Sequence, residues 1–205
     1  MLERRRLERT GLGRRRQSRR MLLAFFDWLA TTAGSIALHE SLHAYRIVST
    51  VHVVTLSLFV GTASLLDLRL LGTTLRSVPV SEVARRLRPW TMAGFALMIA
   101  SGALLFYANP SPRYQNLFFR VKMAMLVAAG INAWLFHRQV FPRVADWDSD
   151  PVPPRRARMA GGLALALWAA MIVSGRMIAY DWFDCSRQPQ SALVNLLQGC
   201  RTESH

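Results

Sequence analysis

Apolar residues gather in four long blocks, separated by short polar segments rich in arginine. The blocks run over residues 47–66, 89–107, 117–136 and 159–180. A helix needs about 20 apolar residues to cross a hydrocarbon layer about 30 Å thick, and each block meets or approaches that length. A helix at a soluble core shows a polar stripe at 3.6-residue spacing. The second and fourth blocks are apolar almost all round, and the fourth holds one charge, Arg176. Small residues within these blocks (Gly94, Ser101, Gly102, Gly161, Gly162, Ser174 and Gly175) suit close helix packing in lipid. The pattern predicts an all-α integral membrane protein with a four-helix transmembrane bundle over 46–180.

Short connections make neighbouring spans antiparallel. Loops 67–88 and 137–158 share one side and hold ten arginines, while the segments on the other side hold five. The positive-inside bias makes the first side cytoplasmic. The stretch 80–88 reads as a short basic helix on that inner surface, drawn to anionic lipid. Residues 146–154 read as a polar loop. Asp67, closing the first span, is expected to pair with Arg86 or Arg88.

The opposite side is then periplasmic and receives the tail 181–205. Both cysteines, Cys185 and Cys200, lie there, and an oxidising compartment favours their disulfide. Residues 21–45 hold a moderately apolar helix, either interfacial or a fifth span. Ahead of it, residues 1–20 carry nine arginines. That segment is read as disordered, or as untranslated with Met21 the start, or as a faint twin-arginine signal.

Charge sharpens this picture. The formal net charge of the 205 residues is +14, and of 26 basic residues only Lys122 is a lysine. The partner this excess implies is the bilayer; no nucleic-acid partner is expected. Ionisable groups inside a bilayer mark functional sites by default. At about 1.5 Å per residue, His52, Lys122 and Arg176 each fall roughly 6–9 Å below the outer surface, on three different spans. No carboxylate sits at that depth. Two cations and an imidazole without an acid point to an anionic guest: a porphyrin propionate, a phosphate head group or a quinone. His52 is also a candidate axial ligand for haem b, with Met98 as its second ligand. His137 falls near the opposite surface, too far away to serve.

Three readings of function follow. The first is a ligand-binding, haem-dependent redox membrane protein with its site at His52, Lys122 and Arg176. The second is a non-enzymatic component for transport, copper handling or scaffolding. The third is zinc hydrolysis, because His39-Glu40-Ser41-Leu42-His43 matches H-E-x-x-H, which sets two imidazoles on one helix face with the glutamate as base.

The residues His52, Gly61, 67–72 (DLRLLG), Pro89-Trp90, Gly94-Phe95, Phe119, Lys122, Asn132, Phe136-His137 and Gly175-Arg176 make the chain resemble an uncharacterised family of bacterial multi-pass membrane proteins. More remotely, the chain is similar to the copper-resistance D family and to four-helix protoporphyrinogen oxidases that hold b-type haem. That likeness implies an axial role for His52 and a propionate or substrate role for Lys122.

Overall fold

Every apolar block becomes part of a longer helix. The computed structural model describes residues 21–180 together with Ser191 and Asn195; the described residues contain no strand. In chain order the elements are α1 (Met21–Ala30), α2 (Ala33–Glu40), α3 (Leu42–Leu71) and α4 (Val80–Ala108). They continue as α5 (Pro110–Gln115), α6 (Leu117–Gln139), a 3-10 turn (Phe141–Asp146) and α7 (Arg155–Tyr180). Four of them, α3, α4, α6 and α7, are long and apolar enough to span a membrane, and the bent pair α1–α2 would make a fifth. The protein is an all-α membrane bundle.

The long helices pack in the order α4–α3–α7–α6. Within the apolar stretch of α6 only 6% is buried. Its sides are left open, as suits a lipid environment, where no hydrophobic effect drives helices together and small residues must let backbones approach. Gly161 of α7 does this: a β-carbon there would lie 2.7 Å from the Asp67 carbonyl oxygen on α3. Gly94 of α4 lets α3 approach similarly, at Phe59.

Residues 21–40 bend by 65° between α1 and α2. The bend follows from adjacent threonines whose hydroxyls donate to backbone carbonyls three residues back, Thr31 to Trp28 and Thr32 to Leu29, both at 2.7 Å. The pair docks where α4 passes into α5. Ser111 donates to Asp27 and Ser35 donates to the Tyr107 carbonyl, each at 2.7 Å. Phe26 packs edge-on against Phe106. These contacts hold residues 26–35 at one end of the bundle, called here the α5 end.

At the opposite, arginine-rich end the loops are more ordered than the sequence suggested. Stretch 80–88 is no separate surface helix but the opening turns of α4, with Pro89 inside it. Residues 146–154 are not an idle loop. Asp148 accepts from the Ser81 backbone N–H at 2.7 Å and from the Ser81 hydroxyl, capping α4 from 67 residues away. Arg69 is fully buried beneath this loop and donates to the carbonyls of Val78 (2.8 Å), Asp150 (3.0 Å) and Asp148 (3.4 Å). Gly72 closes α3 at φ +71°, a left-handed conformation that glycine adopts without strain. Leu70, Val80, Phe136, Trp147 and Ala157 form an apolar core here.

The expected Asp67 ion pair does not form. Asp67 instead accepts the indole N–H of Trp168 at 3.0 Å. Arg86 pairs with Glu82, which also takes Arg85. The i,i+4 spacing inside α4 offers Arg86 a nearer acid than one on another helix.

Candidate anion-binding site

His52 lies in α3 against α4. Its Nδ1 is 3.1 Å from the Met98 carbonyl and 3.1 Å from the Ser101 hydroxyl oxygen. A carbonyl only accepts, so Nδ1 carries the proton, and the Ser101 hydroxyl is spent on the Leu97 carbonyl at 2.7 Å. Nε2 is thereby left to meet a ligand, as an acceptor when the ring is neutral and as a donor when it is protonated. Gly102 provides the room: a β-carbon there would come within 3.1 Å of the imidazole Cε1.

Lys122 projects from the second turn of α6. A β-carbon at Gly175 of α7 would stand 3.8 Å from its Nζ. The ammonium is half-buried and within electrostatic reach of both His52 and Arg113. Arg113 comes from α5 and donates to the Tyr45 hydroxyl at 3.0 Å, tying α5 to α3. Asn116 starts α6 by accepting from the Phe119 N–H at 3.1 Å. This sharp start, one residue after α5, puts Lys122 in the second turn of α6, nine residues beyond Arg113. No carboxylate among the described residues neutralises Lys122.

The structure thus brings together His52 and Lys122 and leaves Arg176 aside. Arg176 is exposed, with its guanidinium 5.1 Å from the Tyr180 ring centre. Equal depth does not ensure a shared face: Gly175, one residue earlier, is the α7 position that faces Lys122. Arg113 supplies the second cation. In the sequence it is one arginine among several on its side of the bundle, and no local pattern links it to a span about 60 residues away.

Met98 is buried, yet it meets His52 through its main-chain carbonyl at the Nδ1 edge. An iron bound at Nε2 would stand on the opposite edge of the ring, so the pair His52 and Met98 does not fit a haem held from both faces. The zinc pattern is divided by a helix break. His39 and Glu40 close α2, Ser41 is extended and caps α3 through the Ala44 N–H at 3.2 Å, and His43 belongs to α3. The shared helix face that H-E-x-x-H requires is lost, and all three side chains are exposed. Among the described residues no group of three or more His, Cys, Asp or Glu is arranged to hold a metal. His137 stacks on Phe141 at the arginine-rich end. Residues 1–20, Cys185 and Cys200 lie outside the described residues.

Residues 25–181 match the model of a family of unknown function, DUF6644. The chain belongs to the DUF6644 family. No match was found among curated proteins or among solved structures. The matched DUF6644 region takes in the whole cluster, from Tyr45 to Gly175, as well as the Arg69–Asp148 lock at the other end. It agrees with the nearer of the two resemblances drawn from the sequence. The remoter one, to copper-resistance D proteins and haem-holding oxidases, has no counterpart in these matches.

Proposed function

We propose that this DUF6644 protein is a multi-pass membrane protein that binds a small anionic ligand at the α5 end of its bundle. One observation carries the reading. Lys122 is a half-buried ammonium with no acidic partner among the described residues, and Arg113 adds to its charge instead of offsetting it. An unpaired charge away from water is costly, and a carboxylate or phosphate would relieve that cost through charge-assisted hydrogen bonds. A porphyrin propionate, a phosphate head group and a quinone that gains negative charge all satisfy this chemistry. Lys122 would hold the anion, and His52 Nε2 would donate to it or exchange a proton with it. A haem b reading keeps His52 as one ligand and loses Met98 as the other, so anion recognition is the better-supported part. By the arginine bias the α5 end faces the periplasm of a bacterial cytoplasmic membrane, with the C-terminus on that side.

Three probes test this on the detergent-purified full chain: metal-free protoporphyrin IX, a short-chain quinol and inorganic phosphate. Binding is followed by quenching of intrinsic fluorescence for the first two and by calorimetry for the third. Saturable binding of at least one probe is expected. Lys122→Met should weaken it about tenfold, the scale of one hydrogen bond to a charged group. Arg176→Leu should leave it within about twofold. No binding of any probe, or equal binding by Lys122→Met, overturns the reading.

A further inference from the structure

The bundle is not closed on all sides. In the packing order α4–α3–α7–α6, α4 and α6 are the two flanks. At the α5 end they are joined by Phe106 stacked on Phe119, ring centres 5.5 Å apart. Toward the arginine-rich end a cleft of about 820 Å3 separates them. Leu66, Leu87, Met92 and Phe141 line it, and Arg85, Arg88 and His137 stand around it.

Neighbouring side chains on the two flanks, Trp90, Met92 and Trp134, are exposed. Membrane-facing surface therefore surrounds the cleft, and its apolar lining calls for an apolar occupant from the bilayer. Arg88 immediately precedes the apolar block that opens at Pro89, which puts it at head-group level beside the cleft. Charge then selects the lipid. Glu82 is shared between Arg85 and Arg86, so one carboxylate serves two guanidinium groups. Arg88 has no acidic partner among the described residues, and a guanidinium suits the two-point recognition of a phosphate.

We propose that this cleft is a binding site for one anionic phospholipid, with an acyl chain between α4 and α6 and the phosphate at Arg88, Arg85 beside it. The site is separate from the Lys122 cluster and does not depend on its ligand.

Native mass spectrometry of the full chain released from detergent tests the proposal. Dioleoyl phosphatidylglycerol, dioleoyl phosphatidylcholine and glycerol 3-phosphate are the probes. One phosphatidylglycerol should be retained in preference to phosphatidylcholine, and glycerol 3-phosphate should neither bind nor compete. Arg88→Gln should lower phosphatidylglycerol retention about fivefold, the effect of one basic residue at a membrane surface. Arg138→Gln, which removes an arginine held over Trp134 on the lower turn of α6, should lower it less than twofold. Ala84→Phe, which fills the cleft without altering charge, should abolish retention. Should that variant not fold, the two arginine variants decide alone, because both sites are exposed. Equal retention of the two lipids overturns the proposal. So does equal loss in both arginine variants, competition by glycerol 3-phosphate, or a lipid-free dimer that occupies the cleft with a second copy.

Discussion

Trp168 of α7 donates its indole N–H to the Asp67 carboxylate of α3 at 3.0 Å, a polar bond between these two helices. Phe59 packs edge-on against the same indole, with ring centres 5.1 Å apart. Trp168→Phe keeps the ring stacking and removes the donor, leaving a half-buried carboxylate unmatched. A loss of about 1–3 kcal/mol in stability follows, read as a lower Tm in detergent. Asp67→Asn retains an acceptor oxygen and should stay within about 1 kcal/mol of the parent. Equal melting of Trp168→Phe and the parent would show that the bond contributes nothing.

The lock at the arginine-rich end makes a second prediction. Arg69 satisfies three carbonyls from two loops with a planar, forked group. Lysine offers a point charge and cannot reproduce that fork. Arg69→Lys and Arg69→Met should therefore be similarly damaging, by about 3 kcal/mol, with 140–154 becoming sensitive to limited proteolysis. Asp148→Ala should cost about 1 kcal/mol, the ordinary value of a helix cap. Parental stability in Arg69→Lys would mean that charge alone matters at position 69.

The spans were legible in the sequence because lipid imposes a simple rule: long apolar runs with all backbone groups bonded within the helix. All four blocks lie inside α3, α4, α6 and α7. Their ends were less legible. Pro89 opens the apolar block, but the helix runs through it despite the lost N–H and the crowded carbonyl four residues back, because Asp148 anchors the chain at Ser81, eight residues earlier. The Asp67 partner is equally hidden from the sequence. Charge suggested an arginine, whereas the helix packing presents an indole that no charge pattern reveals. At the candidate site, depth counting brought His52 and Lys122 to one level. It gives no helix azimuth, so it neither separates Arg176 from them nor reveals Arg113, which a six-residue helix holds.

Glycines divide into packed and idle positions. Gly161 has the Asp67 carbonyl oxygen within 2.7 Å of where a β-carbon would sit, and Leu70 Cβ within 3.1 Å. Gly162 meets only the Leu71 side chain, at 3.6 Å, and Gly130 meets nothing within 4 Å. Gly161→Ala must push α7 away from α3 and should cost about 1–3 kcal/mol, the usual penalty for overpacking. Gly162→Ala and Gly130→Ala should be neutral or slightly stabilising, since alanine favours the helix. Thermal unfolding of the three single variants checks the order; a Gly130→Ala as damaging as Gly161→Ala would contradict this packing.

Gly102 ties the fold to the candidate site. An added methyl would stand 3.1 Å from His52 Cε1, close enough that the ring or α4 must shift by a few tenths of an ångström. The imidazole is the freer of the two, because its Nδ1 contacts at 3.1 Å are its only described hydrogen bonds. Gly102→Ala should therefore disturb His52 before it disturbs the bundle. The expected signature is a shifted histidine ring resonance in nitrogen-15 NMR, with stability lowered by less than about 1 kcal/mol. Gly175→Ala places its methyl 3.8 Å from Lys122 Nζ, an ordinary contact, and should leave the His52 resonance unchanged. If anion binding needs His52 Nε2 aimed at the ligand, Gly102→Ala weakens binding of the probe that Lys122→Met also weakens, whereas Gly175→Ala does not. A shifted resonance with unchanged binding would assign anion recognition to Lys122 and Arg113 alone and leave His52 a structural link between α3 and α4.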